Sequence, residues 1–334
     1  MSDPLLGAAF ALAAAVSLAA SWLLVTSLER VGARLGLTEA SLGLLAALAA
    51  DAPEITAAVT ALVRHDQNVG AGVVIGSNVF NLAALLGLSA VVAAEIKLHP
   101  RVIELGGAVA LWIAAVTLAL VTGACSPLAG LLLVAAVLAP YIVILGAHHE
   151  RLARLRLPAA WTGWLLAAIS EEERELEVAI HPRRGGARNA LLALGAVVVV
   201  VGASIAMERT GSELGSHHAV PGIVVGGLVL AGVTSLPNAV AAVYLARRGR
   251  GAAVLSTALN SNALNVFAGL MIPTTILGIG APSSQTTFVA AGYVAMTVLA
   301  LVCAYSGRGL RRGAGALIIA AYLLFAGVLL ASAY

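Results

Sequence analysis

Followed for its alternation of apolar and polar stretches, the chain contains ten apolar runs, at 4–28, 37–63, 69–95, 102–122, 126–146, 188–207, 219–246, 252–279, 285–305 and 313–333. Each is about 20 residues or longer, enough for a helix to cross a hydrocarbon core about 30 Å thick, so the pattern predicts ten transmembrane helices. The first run follows Asp3 rather than a basic segment and is long enough to span, which predicts a retained helix and not a cleaved signal peptide. One long polar stretch separates five runs from five, dividing the chain into 1–147, a connector at 148–187, and 188–334. Within the connector, Trp161 and Trp164 lie on an apolar segment, and Glu171, Glu172, Glu173, Glu175 and Glu177 follow. That pattern predicts a short interfacial helix with an acidic end, either a solvated connector or a segment that senses cytoplasmic cations.

Composition agrees with a bilayer as solvent: 60% of residues are apolar, 10% are charged, and the mean hydropathy is +0.99. Charge then orients the chain. Threading the runs alternately through a membrane puts 17 of the 19 Lys and Arg residues on one side, leaving only Arg64 and Arg209 on the other. By the positive-inside rule the crowded side is the cytoplasm, so a multi-pass protein of the cell membrane with both termini outside is expected. The net charge of +3 is therefore sorted by membrane side and is no nucleic-acid patch. Cys125 and Cys303 lie in or beside apolar stretches without metal-ligand spacing and read as small buried hydrophobes.

The chain also repeats itself. At an offset of 184 residues, Gly43 meets Gly227, Leu44 meets Leu228, Pro53 meets Pro237, and Ala57, Ala58 and Val59 meet Ala241, Ala242 and Val243. Arg64 meets Arg248, Ser77 and Asn78 meet Ser261 and Asn262, and Asn81 meets Asn265. Polar and helix-breaking positions thus recur along with interchangeable aliphatics. Because five spans separate equivalent points, the copies insert with opposite orientation, the inverted-repeat plan of secondary transporters. The fold class expected is an all-α membrane protein of ten transmembrane helices in two inverted five-helix repeats.

Each copy centres on a mid-span proline next to polar residues: Asp51, Pro53 and Glu54 in the second span, and Thr234, Ser235, Pro237 and Asn238 in the seventh. A mid-helix proline frees a carbonyl, which lipid tolerates only where the helix is packed or lines a hydrated cavity. In the spans that follow, Ser77 and Asn81, and Ser261 and Asn265, stand at i and i+4 and share a helical face. A carboxylate at the bilayer centre costs roughly 3 kcal/mol on insertion scales, so two within one turn call for a cation or a proton between them. Carboxylate, amide and hydroxyl oxygens are the ligands of hard cations such as Na⁺ and Ca²⁺, and inward Cys or His clusters that would suit a soft metal are missing from the pattern. Small polar side chains also bind transmembrane helices to one another, which is the plain alternative for each Ser or Asn alone. His148, His149 and Glu150, and likewise His217 and His218, lie at span ends and read as interfacial; the glycines of 70–76 read as close helix packing.

At these residues the chain resembles the cation/calcium exchanger superfamily, whose two alpha repeats each carry a Gly-Thr-Ser-x-Pro-Glu-like motif followed by Gly-Ser-Asn-x-x-Asn/Asp. The resemblance implies that Glu54, Ser77 and Asn81, with Thr234, Ser235 and Ser261, line central ion sites, and that spans one and six slide past a static core. It further implies countertransport of Ca²⁺ against Na⁺ or H⁺. The chain departs from the pattern in carrying Ala50-Asp51 before the first proline, Asn238 at the second glutamate, and Asn265 where some members have aspartate. The site residues expected are Glu54, Asp51, Ser77, Asn81, Thr234, Ser235, Asn238, Ser261 and Asn265. The partners expected are inorganic cations and the lipid bilayer, with no cofactor, no nucleic acid and no protein partner. A monovalent cation/proton antiporter is the alternative, favoured by the missing second glutamate. An intramembrane enzyme is disfavoured because the membrane serines lack a histidine at matching depth.

Overall fold

The computed structural model describes residues 1–37, 39–146, 163–164 and 185–332. Most of the connector, with its acidic run and with His148, His149 and Glu150, lies outside them. Helix α1 (Asp3–Leu35) precedes a broken pair, α2 (Glu39–Ala50) and α3 (Ala52–Val63). Next come α4 (Gln67–Asn81), a π-helical stretch (Leu82–Leu88) and α5 (Ser89–Ala93), then strand β1 (Glu95–Lys97), α6 (Pro100–Val121) and α7 (Pro127–Gly146). The second half repeats the order: α8 (Ala187–His217), then α9 (Gly222–Val224), a π stretch (Val225–Leu230), α10 (Ala231–Thr234) and α11 (Leu236–Arg247). It ends with α12 (Gly251–Leu264), a third π stretch (Asn265–Met271), α13 (Ile272–Leu277), α14 (Ser284–Ser306), β2 (Gly309–Arg311) and α15 (Arg312–Ala331).

Among the described residues, seven helices are long and apolar enough to cross a membrane, nine if each bent pair is one span. The Gly251–Leu277 run is as long as Gln67–Ala93 but carries Asn260 where the first copy has Gly76, and Pro273, Thr274 and Thr275 where it has Ser89, Ala90 and Val91, which hold down its apolarity. The all-α expectation needs one correction: β1 and β2 pair antiparallel, Ile96 opposite Leu310, at the end of the molecule where Lys97, Arg308 and Arg311 gather. The three π stretches were not legible from apolar periodicity either, since a single extra residue per turn leaves the overall hydrophobicity unchanged.

Helices α1 and α8 lie antiparallel. Asp3 Oδ1 meets His217 Nδ1 at 2.7 Å at one end, Ser17 Oγ and Ser204 Oγ meet at 2.7 Å midway, and Gly185 N donates to Arg30 O at 2.8 Å at the other. His217 and His218 are exposed at that end and share Asp3. Behind this pair sits the Gln67–Ala93 span, whose most apolar window is 94% buried, so it is covered all round. Its glycines explain how. A Cβ at Gly76 would stand 2.3 Å from Gly227 O, and one at Gly226 would stand 2.4 Å from Val69 O, so α4 and the 225–230 stretch touch backbone to backbone.

The breaks in the two bent pairs are local copies of each other. Asp51 adopts φ −81°, ψ −6° and Ser235 adopts φ −82°, ψ −4°, and the helices bend by 49° and 46° there. Pro53 and Pro237 lack the N–H that would bond the carbonyl four residues earlier. In the first copy Ser21 Oγ covers the freed positions, reaching Ala49 O at 3.2 Å and Ala50 O at 3.4 Å from α1.

Candidate cation site

The two breaks face each other at the centre of the molecule, and the polar side chains around them are buried: Asp51, Glu54, Ser77, Asn81, Thr234, Ser235 and Ser261 are fully covered, with Asn238 and Asn265 nearly so. Ser235 Oγ donates to Glu54 Oε1 at 2.5 Å, and Asn265 Nδ2 donates to Glu54 Oε2. Ser77 Oγ stands beside the Glu54 carboxylate without completing a hydrogen bond of good geometry. Asn238 Nδ2 and Ser261 Oγ donate to Asp51 Oδ1 at 2.8 and 2.7 Å, and Asn81 Nδ2 reaches Ser261 Oγ at 3.3 Å. Eight of the nine expected residues therefore belong to one polar cluster bridging the two helix breaks. Thr234 does not join it: its hydroxyl donates to Leu230 O at 2.9 Å in its own helix.

Sequence reasoning passed over Asn78 and Asn262. Asn78 Nδ2 donates to Asn262 O and Asn262 Nδ2 to Asn78 O, both at 3.0 Å, so residues equivalent at the 184-residue offset clasp each other. The same repeat that paired them in sequence was the available signal. Their side-chain oxygens then hold the next asparagines along: Asn81 Nδ2 bonds Asn262 Oδ1 at 3.0 Å and Asn265 Nδ2 bonds Asn78 Oδ1 at 3.5 Å. Tyr293, from α14, was also missed; its buried hydroxyl stands beside Asn78 without completing a hydrogen bond of good geometry.

What the cluster lacks are donors. Among the described residues the buried side-chain oxygens without a partner include Asp51 Oδ2, Ser77 Oγ, Asn81 Oδ1 and Asn265 Oδ1, all of them in this cluster. A buried acceptor without a donor costs on the order of 1–3 kcal/mol, more when charged, and several gathered around two carboxylates make a site poised for a positive ion. The donor set is all oxygen, which suits hard cations and not thiophilic metals. No cluster of three or more His, Cys, Asp and Glu of the kind that holds a resident metal occurs among the described residues.

One side of this cluster opens outward. A cavity of about 240 Å³ reaches Asn238 and is lined by Val25, Glu29, Gly43, Tyr244 and Thr257 among others. Glu29 and Thr257 lie toward the end of the molecule that carries Arg30, Arg34 and Arg250. At the opposite end α3 is tied to α8: Arg64 Nη1 meets Glu208 Oε2 at 3.2 Å, and Ser212 Oγ donates to Glu208 Oε1 at 3.0 Å.

A multi-pass helical protein with a buried carboxylate and amide cluster between mirrored helix breaks is built as a membrane transporter and not as an enzyme. The chain belongs to the sodium/calcium exchanger protein family, whose model matches residues 5–146 and 189–331. Its fold is similar to the crystal structure of the H⁺/Ca²⁺ exchanger CAX, with a TM-score of 0.71 at 15% identity over 98% of this chain and 86% of that one. It is also similar to the sodium-calcium exchanger NCX_Mj, with a TM-score of 0.63 at 19% identity over 97% and 98% of the two chains. CaxA of Alkalimonas amylolytica shares 31% identity over 80 residues, a match that covers 24% of this chain and 25% of that protein.

Proposed function

We propose that the protein is a secondary active cation antiporter that exchanges Ca²⁺, or a cation of similar hardness, for Na⁺ or H⁺ at the cluster around Asp51 and Glu54. The observation that carries this reading is the set of buried, unpartnered oxygens gathered where the two broken helices meet. The reading takes the molecule as ten spans in two inverted halves, 1–147 and 188–334, around the connector 148–187, with both termini outside. Inorganic cations and the bilayer are its partners. Asp51 and Glu54 supply the charge, Ser77, Asn81 and Asn265 supply oxygens that are already unpartnered, and Ser235, Asn238 and Ser261 supply oxygens once their present hydrogen bonds turn away. Thr234 contributes through the shape of its helix.

Alternating access follows from the asymmetry of the ends. The cavity at Asn238 gives the cytoplasmic side a route to the site, while the Gly76–Gly227 seam and the Arg64–Glu208 pair close the other. Passing the ion across requires the closed side to part and the cavity to collapse, and a sliding of α1 and α8 past the remaining helices would carry Glu208 away from Arg64 and move Val25 and Glu29 along the cavity wall. In proteoliposomes the wild type is expected to accumulate labelled Ca²⁺ against an opposing Na⁺ or H⁺ gradient, and Glu54→Gln to abolish that accumulation. Full uptake by Glu54→Gln would remove the carboxylate from the mechanism. A second reading, monovalent cation/proton exchange, draws on Asn238, a neutral residue at the position equivalent to Glu54. Proton movement driven by Na⁺ or K⁺ with Ca²⁺ chelated separates the two.

A further inference from the structure

The repeat extends beyond the ion cluster into α1 and α8. At the same offset of 184 residues Thr26 returns as Thr210 and Glu29 as Glu213. The local geometry returns too: Thr26 Oγ1 donates to Trp22 O at 3.1 Å, and Thr210 Oγ1 donates to the equivalent Ala206 O at 2.7 Å. Glu29 therefore holds on α1, at one end of the molecule, the station that Glu213 holds on α8 at the other. Neither belongs to the cluster at the helix breaks. Glu29 lines the cavity of about 240 Å³ and is the one charged side chain among the residues that line it. From there the cavity reaches Asn238, which donates to Asp51 Oδ1 at 2.8 Å. Arg30 follows Glu29 with its side chain exposed, and successive residues on a helix do not face each other. Carried over by the offset, the lining residues Val25, Glu29, Gly43 and Asn238 become Arg209, Glu213, Gly227 and Glu54. That second lining is shut here, with Gly227 pressed against Gly76 and Glu54 fully covered. It differs in charge as well: Arg209 stands one turn before Glu213 and shares its helical face, where Val25 stands before Glu29.

We propose that Glu29 is the collecting carboxylate of the cytoplasmic mouth, drawing the cation into the cavity ahead of its passage inward, and that Glu213 holds the same station at the outer mouth, weakened there by Arg209. The proposal rests on the antiport reading and the orientation given above, and it adds positioning residues outside the ion cluster. A lone carboxylate in a cleft with apolar walls focuses its field, which raises the local concentration of cations and their rate of entry. A carboxylate with a guanidinium one turn away on the same face attracts far less. The two mouths therefore differ in strength although the repeat makes them equivalent in position. The cation is taken up at lower concentration from the cytoplasm than from outside.

The test is the half-saturating Ca²⁺ concentration for exchange on each face, measured in low salt with inside-out and right-side-out membrane vesicles carrying the full chain. Glu29→Gln is expected to raise the cytoplasmic value about three- to tenfold and to leave the outer value in place, the effect sitting in half-saturation rather than in the maximal rate. Glu29→Asp, which keeps the charge, is expected to restore most of the loss. In about 1 M choline chloride, where the screening length is about 3 Å, the difference between wild type and Glu29→Gln is expected to shrink toward nothing. An unchanged cytoplasmic value, an equal rise on both faces, a salt-independent rise or a fall in maximal rate alone would overturn the proposal. Absence of Ca²⁺ exchange by the wild type is a separate outcome, which would overturn the antiport reading itself. A second measurement exchanges the residues that distinguish the mouths. Arg209→Val is expected to lower the outer half-saturating concentration several-fold and Val25→Arg to raise the cytoplasmic one. No shift on the substituted face in either variant would overturn the difference assigned to Arg209.

Discussion

The two copies of the repeat use the same break but close differently around it. On one side Gly72 and Gly76 let α4 lie against the backbone of Gly226 and Gly227, where a single added Cβ would overlap a carbonyl. The equivalent positions in the other copy are Ser256 and Asn260, which carry polar side chains in place of glycine. Asn260 Nδ2 donates to Ser256 Oγ at 2.9 Å, and Asn260 Oδ1 accepts from Tyr141 at 3.0 Å. The cavity that reaches Asn238 lies on this looser side, against Gly43 and Thr257. The duplicated segment is thus packed shut on one side and open to a cavity on the other, and the small pair Gly72 and Gly76 against the larger pair Ser256 and Asn260 goes with that difference.

The contrast is broken most severely at Gly76. Gly76→Val drives two methyl groups into the backbone of Gly227, and overpacking of that kind typically costs about 1–3 kcal/mol where the core can relax. With backbone as the obstacle, loss of the folded protein is expected in fluorescence-detected size exclusion, and a monodisperse, active Gly76→Val would show that the seam is not tight. Next in size is the ion pair found on the closed side alone. Glu208 is fully buried and Arg64 is 46% exposed, so Arg64→Ala leaves a buried carboxylate with Ser212 as its remaining partner. Destabilisation of about 1–3 kcal/mol is expected, read as a lowered melting temperature in detergent. The equivalent residue, Arg248, stacks over Tyr244 at 4.7 Å from the ring centroid, and Arg248→Ala is expected to cost no more than about 1 kcal/mol. A larger loss from Arg248→Ala than from Arg64→Ala would reverse the assignment of the closed side.

Smaller effects sharpen the same picture. Asn260→Gly gives the open seam the residue of the closed one, and labelling of Thr257→Cys by a charged thiol reagent is expected to fall several-fold, in a chain with Cys125 and Cys303 replaced by serine. Unchanged labelling would mean that Asn260 does not prop the cavity. Ser21→Ala withdraws the hydroxyl from Ala49 O and Ala50 O, at a cost of about 1 kcal/mol. The melting temperature reads that loss, and no shift would show water taking its place.

Much of this was legible in the chain because membranes write in long words. Apolar runs located the helices, and the paired prolines located both bends, since neither signal depends on who packs against whom. The 184-residue offset also brought forward Glu54, Asp51, Ser77, Asn81, Ser235, Asn238, Ser261 and Asn265 as one set. Thr234 was put forward beside Ser235 in the repeated mid-span proline segment, yet its hydroxyl turns back onto Leu230 O, the ordinary fate of a helical threonine. Asn78 and Asn262 were visible as a repeated pair, but their reciprocal clasp depends on the crossing of two helices that no local pattern encodes. The same holds for charge: in sequence Asp51 and Glu54 look like a lopsided pair on one helix, and only the crossing places Asp51 beside Asn238.

The location of the transported ion tests the account most directly. Anomalous scattering from crystals grown with Sr²⁺ in place of Ca²⁺ would report it without reference to transport. The expected result is a saturable peak within about 3 Å of carboxylate oxygens from both Asp51 and Glu54, a metal–oxygen distance suited to a large divalent cation. Peaks confined to the surface or to the 240 Å³ cavity at saturating Sr²⁺, with Asp51 and Glu54 still bonded only to Asn238, Ser261, Ser235 and Asn265, would contradict it.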